Sequence, residues 1–187
     1  MDLVHGGIRL RPLRLRDRVA WDDLRMRNAG WLRPWEATSP EANAFRPTFA
    51  QYVRGQNRAA RRGEGYAAVI EVDRRMVGQL TVSSVTRGSL QSATIGYWIA
   101  EEMAGRGIVP VCVALATDYC FLELGLHRVE INIRPENAAS LRVVAKLGFR
   151  DEGIRERYLH INGTWADHRT FALTVEEARG GLTARLP

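Results

Sequence analysis

The sequence predicts a mixed α/β (α+β) domain: a central, mostly antiparallel sheet of about seven strands, parted at one place, with helices on both faces. Three observations predict it. Three strand-like runs follow one another between residues 66 and 99 with only short turns between them, which is the pattern of antiparallel neighbours. A glycine-punctuated turn, Ala104-Gly105-Arg106-Gly107-Ile108-Val109-Pro110, then opens a long apolar helix. Beyond it lies a strand, a helix initiated by Asn137 and a Gly148-Phe149 exit into another strand. With 187 residues, 45% hydrophobic and 26% charged, the chain suits one well-buried domain spanning 1–187.

Each element has a local reason. Residues 8–13 alternate apolar and polar side chains and read as the first strand. Asp17 offers an N-cap to a helix with Trp21, Leu24 and Asn28 on one face. Pro34, Pro40 and Pro47 break the next segment into a loop. Thr48 caps a second helix, with Phe49, Tyr52, Val53 and Gln56 at helical spacing, and Gly63-Glu64-Gly65 ends it. Strands are expected at 66–71, 76–85 and 90–99. The helix after the glycine turn should carry an apolar face of Ile108, Cys112, Leu115, Tyr119 and Leu122 and stop at Gly125. A strand at 128–133, a helix at 138–147 and a hairpin of 149–158 with 165–175 around Asn162-Gly163 complete the order.

Composition excludes several classes. The longest apolar run, residues 108–116, is far short of the ~20 residues a membrane span needs. The opening Met1-Asp2-Leu3-Val4-His5-Gly6 has neither a basic leader nor an apolar core, so a soluble cytoplasmic protein is expected, with no membrane partner. Cys112 and Cys120, roughly 12 Å apart along one helix, are too distant to bridge and read as buried free thiols. No Cys or His spacing suggests a metal. The net charge of +6 is carried almost wholly by arginine, Lys146 being the only lysine. Arg9, Arg11, Arg14, Arg16 and Arg18, with Arg58, Arg61 and Arg62, read as a solvated face or as a site for an anionic partner. No interleaved aromatics suggest sequence-specific nucleic-acid binding.

Two helix starts carry the chemistry. Gly105 and Gly107 lack Cβ, so the backbone there can approach a ligand and adopt positive φ. The helix N-terminus behind them offers unpaired N–H groups and a positive dipole end, which suits a pyrophosphate, and Arg106 could add a charged contact. A tight connection without a ligand explains the glycines equally well. Asn137 and Ser140 begin a second helix, where local capping is the plain reading. If the strands ending at Ile99 and Ile133 part beside these starts, a phosphate-bearing thioester such as an acyl-coenzyme A fits between them.

With these segments the chain resembles the GNAT acetyltransferase superfamily, and within it the RimJ/RimL-type ribosomal-protein N-acetyltransferases. The resemblance rests on Ile95-Gly96-Tyr97-Trp98-Ile99, Gly105-Arg106-Gly107-Ile108, Leu126-His127-Arg128-Val129, Asn137 through Phe149, Tyr158 through His168, and the early Arg33-Pro34-Trp35-Glu36. It implies acetyl-CoA as cosubstrate, a pyrophosphate held by the backbone of Gly105, Arg106, Gly107, Ile108 and Val109, and pantetheine along Tyr97, Trp98 and Ile99. Asn137 and Ser140 would then stand beside the pantetheine and sulfur. It also implies a protein N-terminus as acceptor, a ribosomal protein's in particular, with the ribosome as a further partner. The chain departs from the pattern at Ala104 and Val109, the first and last positions of the pyrophosphate signature. The tyrosine many members use as general acid falls at Val144, and the glutamates of the RimL and RimI types fall at Leu159 and Asn132.

The expected reaction is direct transfer to a neutral amine. An α-amino group with a pKa of ~7.7–8.0 is far more often neutral at pH 7 than a lysine at ~10.4, so weak base machinery favours an N-terminus. Backbone N–H groups near Ile99 and Ala100 are the candidate oxyanion donors, and Ser140 the candidate acid. For the base, Glu36, Tyr158, His160 and Glu130 remain. Of the five tryptophans, Trp31 and Trp35 are expected at an acceptor groove and Trp98 and Trp165 in the core. A small-molecule amine acetyltransferase and a non-catalytic CoA-binding module stay open as alternatives.

Overall fold

The structure, a computed structural model, describes residues 1–41, 45 and 47–186. Among them an eight-stranded sheet runs in the order β1-β2-β3-β4-β5-β6-β8-β7. Its strands are β1 (Leu3–His5), β2 (Ile8–Pro12), β3 (Tyr66–Val72), β4 (Arg75–Thr86), β5 (Ser92–Ile99), β6 (Arg128–Ile133), β7 (Arg150–Ile161) and β8 (Thr164–Thr174). The helices are α1 (Arg18–Arg27), the one-turn α2 (Ala29–Leu32), α3 (Phe49–Arg62), α4 (Ile108–Leu122) and α5 (Ala138–Leu147). No helix among the described residues is long and apolar enough to cross a membrane.

All neighbouring strands pair antiparallel except β5 and β6, which are parallel. That pairing covers only Ser92 with Arg128, Ala93 with Val129 and Thr94 with Glu130. Past Thr94 the two strands separate: β5 stays on β4 to Ile99, while β6 stays on β8 to Ile133. The expected parting of the sheet is therefore present, and it lies where the C-terminal ends of β5 and β6 face the starts of α4 and α5.

The core divides between the two faces. On one, Ile95, Ile99, Val129 and Ile131 meet α4 and α5 through Cys112, Val113, Ala116, Val143 and Leu147. Burying each large aliphatic side chain contributes about 1.5–3 kcal/mol. On the other, Val53 of α3 meets Leu13 and Val69, flanked by Trp21, Phe49 and Tyr52. Thr48 caps α3 as its sequence suggests, with Thr48 and Gln51 exchanging side-chain-to-backbone bonds, and Gly63 ends it at φ +70°.

Several expectations need correction. β1 is an eighth strand; three residues folded back through Gly6 and Gly7 carry too little alternation to stand out. Asp17 precedes α1 but makes no cap bond. Its buried carboxylate instead accepts from the Arg11 guanidinium at 2.8 and 2.9 Å and from the Arg14 backbone N–H. Arg11, bonded also to Glu71, is thus a buried ion-paired residue and no part of a solvated face. α4 has no single apolar face: nine of its residues are buried around most of its circumference, whereas Leu122 is 76% exposed. Trp165, expected in the core, is 55% exposed and stands edge-on to His160. Cys112 and Cys120 are buried and free, and burial pushes both thiols up to about 12.

Candidate functional site

The parted strands open into a cleft of about 550 Å³ whose walls include both helix starts. Gly105, Gly107, Ile108 and Val109 line one end, Asn137 and Ser140 the side, and Trp31, Trp35, Glu36 and Trp98 the other end. The size lies in the range of ordinary small-ligand sites.

The glycine turn is shaped by backbone conformation. Gly105 and Gly107 both sit at φ +76°, where a side chain is strained, and a Cβ at either would meet nothing within 4 Å. Gly107 is the N-cap of α4, and no side chain caps it. The first amides of the helix are therefore left without intrahelical partners, as at any helix start, and open on the cleft. Pro110 falls in the first turn, where a missing N–H costs nothing. Two cations from α5, Arg142 and Lys146, line the same cleft and form no salt bridge among the described residues. A diphosphate fits this end: exposed N–H groups, a helix dipole and two free cations converge on it.

The middle of the cleft is the free edge of β5. The Ala100 N–H donates to Val77 of β4 at 2.8 Å, and antiparallel residues alternate in direction. Ile99 and Tyr97 consequently turn their N–H and C=O groups away from β4, toward the opening. The Ile99 carbonyl accepts from the Trp31 indole at 3.1 Å, leaving the Ile99 N–H and both groups of Tyr97 on offer. An amide-bearing chain laid here would take the place of a strand. Ala100, expected as an oxyanion donor, is corrected by the same bond: its N–H is committed to β4 and its side chain is buried. Asn137 caps α5, its Oδ1 accepting from the Ser140 N–H at 3.1 Å, so the capping reading holds and its Nδ2 stays free.

The far end is built from aromatic residues and one ion pair. Glu36 pairs with Arg25, whose guanidinium lies 5.2 Å from the Trp21 ring centroid and 5.4 Å from that of Trp98. Trp98 thus lines the cleft, contrary to the expected core position, because β5 residues alternate and Trp98 faces α1. Gln79 forms the floor. The indole of Trp21 only donates, so Gln79 Oε1 must face it, at 3.0 Å, and Nε2 donates to Tyr52 at 2.6 Å. The loop around Glu36 is fastened on two sides. Arg134 donates to the Pro34 carbonyl and lies over Trp35, while the Thr38 N–H donates to the His160 carbonyl.

The structure brings together most, but not all, of the residues singled out from sequence. Tyr97, Trp98, Ile99, Gly105, Gly107, Ile108, Val109, Asn137, Ser140 and Glu36 share the cleft. Ala100, Arg106, Tyr158 and His160 stand outside its lining. Arg106 is exposed on the turn. Tyr158 accepts from Arg155 and meets His168 edge to face, and His160 shares a 2.8 Å bond with Thr38. Glu130 is held by Arg128 and Arg155. Sequence reasoning missed Arg25, Gln79, Arg142 and Lys146. The last two carried a signal, a four-residue spacing on the face of the helix that Asn137 begins; the first two became visible only through tertiary packing.

Comparison with known proteins places this geometry. Residues 8–150 match the family profile described as an acetyltransferase (GNAT) domain. The [ribosomal protein uS5]-alanine N-acetyltransferase of Escherichia coli (strain K12) is 30% identical over 165 residues, covering 86% of this chain and 85% of that protein. The probable N-acetyltransferase YjcK of Bacillus subtilis (strain 168) is 43% identical over 101 residues, 54% of this chain and 56% of that protein. Among solved structures, Mycobacterium smegmatis RimJ in complex with CoA-disulfide superposes with a TM-score of 0.89 at 41% identity, covering 96% of this chain and 87% of that one.

Proposed function

The chain belongs to the GNAT acetyltransferase family, and from that premise we propose that it transfers the acetyl group of acetyl-CoA to the N-terminal α-amino group of a ribosomal protein. Acetyl-CoA supplies the acetyl group as an activated thioester. The observation that carries the reading is the parting of β5 from β6 between two open helix starts. The amides behind Gly107, with Arg142 and Lys146, hold the diphosphate end. The free N–H and C=O of Tyr97 hold the amide-bearing arm. The thioester then lies near the Ile99 N–H, which is placed to receive charge developing on the carbonyl oxygen.

At the acceptor end, Glu36 offers a carboxylate to an incoming ammonium and Trp31, Trp35 and Trp98 offer apolar walls. An α-amino group needs little help to become neutral, so Glu36 has only to accept a proton, directly or through water. Tyr158 and His160 lie outside the cleft lining and serve instead to hold the strand and loop that bound it. Ser140 is left to stabilise the departing sulfur. The acceptors, ribosomal proteins, place the reaction in the cytoplasm, either on free chains or on the ribosome.

Incubation with acetyl-CoA and N-terminal peptides of ribosomal proteins, followed by tandem mass spectrometry, tests the reading. Acetyl on the α-nitrogen is the expected product. Turnover of polyamines or aminoglycosides with no α-amino product from any peptide would overturn the acceptor assignment.

A further inference from the structure

Tyr97 carries a buried hydroxyl that the roles above leave unused. Its ring packs on the α4–α5 side of β5 beside the core, and its Oη is shut off from solvent and completes no hydrogen bond among the described residues. An unpaired buried hydroxyl is destabilising, a cost phenylalanine would avoid at the same position. The polar side chain within reach is Ser140, in the first turn of α5, and both residues line the cleft.

Each hydroxyl has one proton to give. Burial pushes the Tyr97 phenol up to about 12, with Ser140 pulling the other way, so it keeps its proton at physiological pH. If Ser140 gave its proton to Tyr97, the phenol proton would stay buried without an acceptor. In the reverse arrangement no buried donor is stranded: Tyr97 donates to Ser140 Oγ, and the Ser140 proton points into the cleft.

We infer that Tyr97 is a positioning residue, whose hydroxyl donates to Ser140 Oγ and so aims the Ser140 proton at the sulfur that leaves the thioester. The inference rests on the acetyl-transfer reading. In that reaction the amine nitrogen bonds to the carbonyl carbon, the C–S bond breaks with its electron pair on sulfur, and the proton lost by nitrogen passes to Glu36, directly or through water. Sulfur departs as thiolate, held by the Ser140 hydrogen bond; neither Ser140 nor Tyr97 is deprotonated.

The test reads bound CoA first and turnover second. The thiol of CoA is titrated by thiolate ultraviolet absorbance in complexes with the wild type, Tyr97→Phe and Ser140→Ala. Cys112 and Cys120 stay silent because their thiols titrate only at about 12. The bound thiol should titrate about one pH unit lower in the wild type than in either variant. In turnover, Tyr97→Phe should lower kcat about tenfold at unchanged KM for acetyl-CoA, and the double variant should be no worse than Ser140→Ala alone. Equal titration in wild type and Tyr97→Phe overturns the inference, as do losses that multiply in the double variant. Tyr97→Phe weakening CoA and desulfo-CoA alike, with the thiol unmoved, marks the hydroxyl as a packing group and overturns it too. A wild type that lowers the thiol pKa through Tyr97 yet acetylates no amine sinks the transfer reading and leaves this one standing.

Discussion

Arg142 and Lys146 show what a single residue contributes here and how far it could be read in advance. Both carry a charge that meets no carboxylate among the described residues, and both border the cleft beside the start of α4. Replacing either with Ala should raise KM for acetyl-CoA about tenfold, some 1.4 kcal/mol, while kcat changes little, because the lost contact is equal in ground and transition states. Steady-state kinetics at several salt concentrations checks this, since the wild-type advantage should shrink as salt screens it. Glu152 is the opposite case, a carboxylate with two guanidinium partners, Arg128 and Arg150, which hold it down at about 2 against an ordinary 4.5. Its folded pKa is depressed, so its stabilisation is complete above pH 4.5 and disappears as pH falls toward 2. Glu152→Gln should therefore flatten the melting temperature between those values and lower it near neutrality by roughly 2–4 °C, given at most about 1 kcal/mol for a partly exposed pair. The backbone contribution of Gly107 was legible from its type alone, whereas the ion pairs of Arg11 and Glu130 were not. Glu71 and Arg155 become partners only through the strand order, and Asp17 only through the turn that leads from β2 into α1.

At the scale of elements, legibility followed the strength of the local pattern. α3 was evident from Thr48 at one end and Gly63 at the other, because a helix cap is decided locally; the reciprocal bond from Gln51 showed only in the structure. The β7–β8 turn was evident from Asn162 and Gly163, which both take the positive φ a two-residue hairpin requires. β1 was missed, as was the displacement of β5 by two residues to Ser92, which leaves Leu90 51% exposed. Hydropathy cannot distinguish an apolar turn residue from a strand residue when pairing sets the boundary. The contact between β4 and β5 supplies a test of how closely that pairing is fitted. A Cβ on Gly78 would come within 2.3 Å of the Trp98 carbonyl oxygen, and neither backbone can yield alone. Gly78→Ala should cost about 1–3 kcal/mol in urea denaturation and weaken acetyl-CoA binding with it, since the displaced Trp98 and Ile99 border the cleft.

For the whole molecule, the sequence conveyed the layer arrangement because strand and helix patterns follow one another along the chain; the parallel pairing of β5 with β6, joined through α4, emerged only in the fold. What it could not convey was how little joins the two halves of the sheet. Three residue pairs tie β1–β5 to β6–β8, with the Gln91 carbonyl accepting from the His127 and Arg128 N–H groups at their start, and beyond them the halves are connected by α4, α5 and the fastened loop at Glu36. Amide exchange at Tyr97 and Ile99 should accordingly be fast in the free protein and slow with CoA present, and CoA at 100 times its Kd should raise stability by about 2.7 kcal/mol. Exchange at both amides that ignores CoA would remove the strand-like mode of binding. A seam this short gives two leaves little to hold them against flexing, and a cosubstrate lying across it should work as a removable rivet. Each turnover is then expected to stiffen the protein while the thioester is aboard and to loosen it once the spent thiol departs, which would tie product escape to the springiness of the sheet itself.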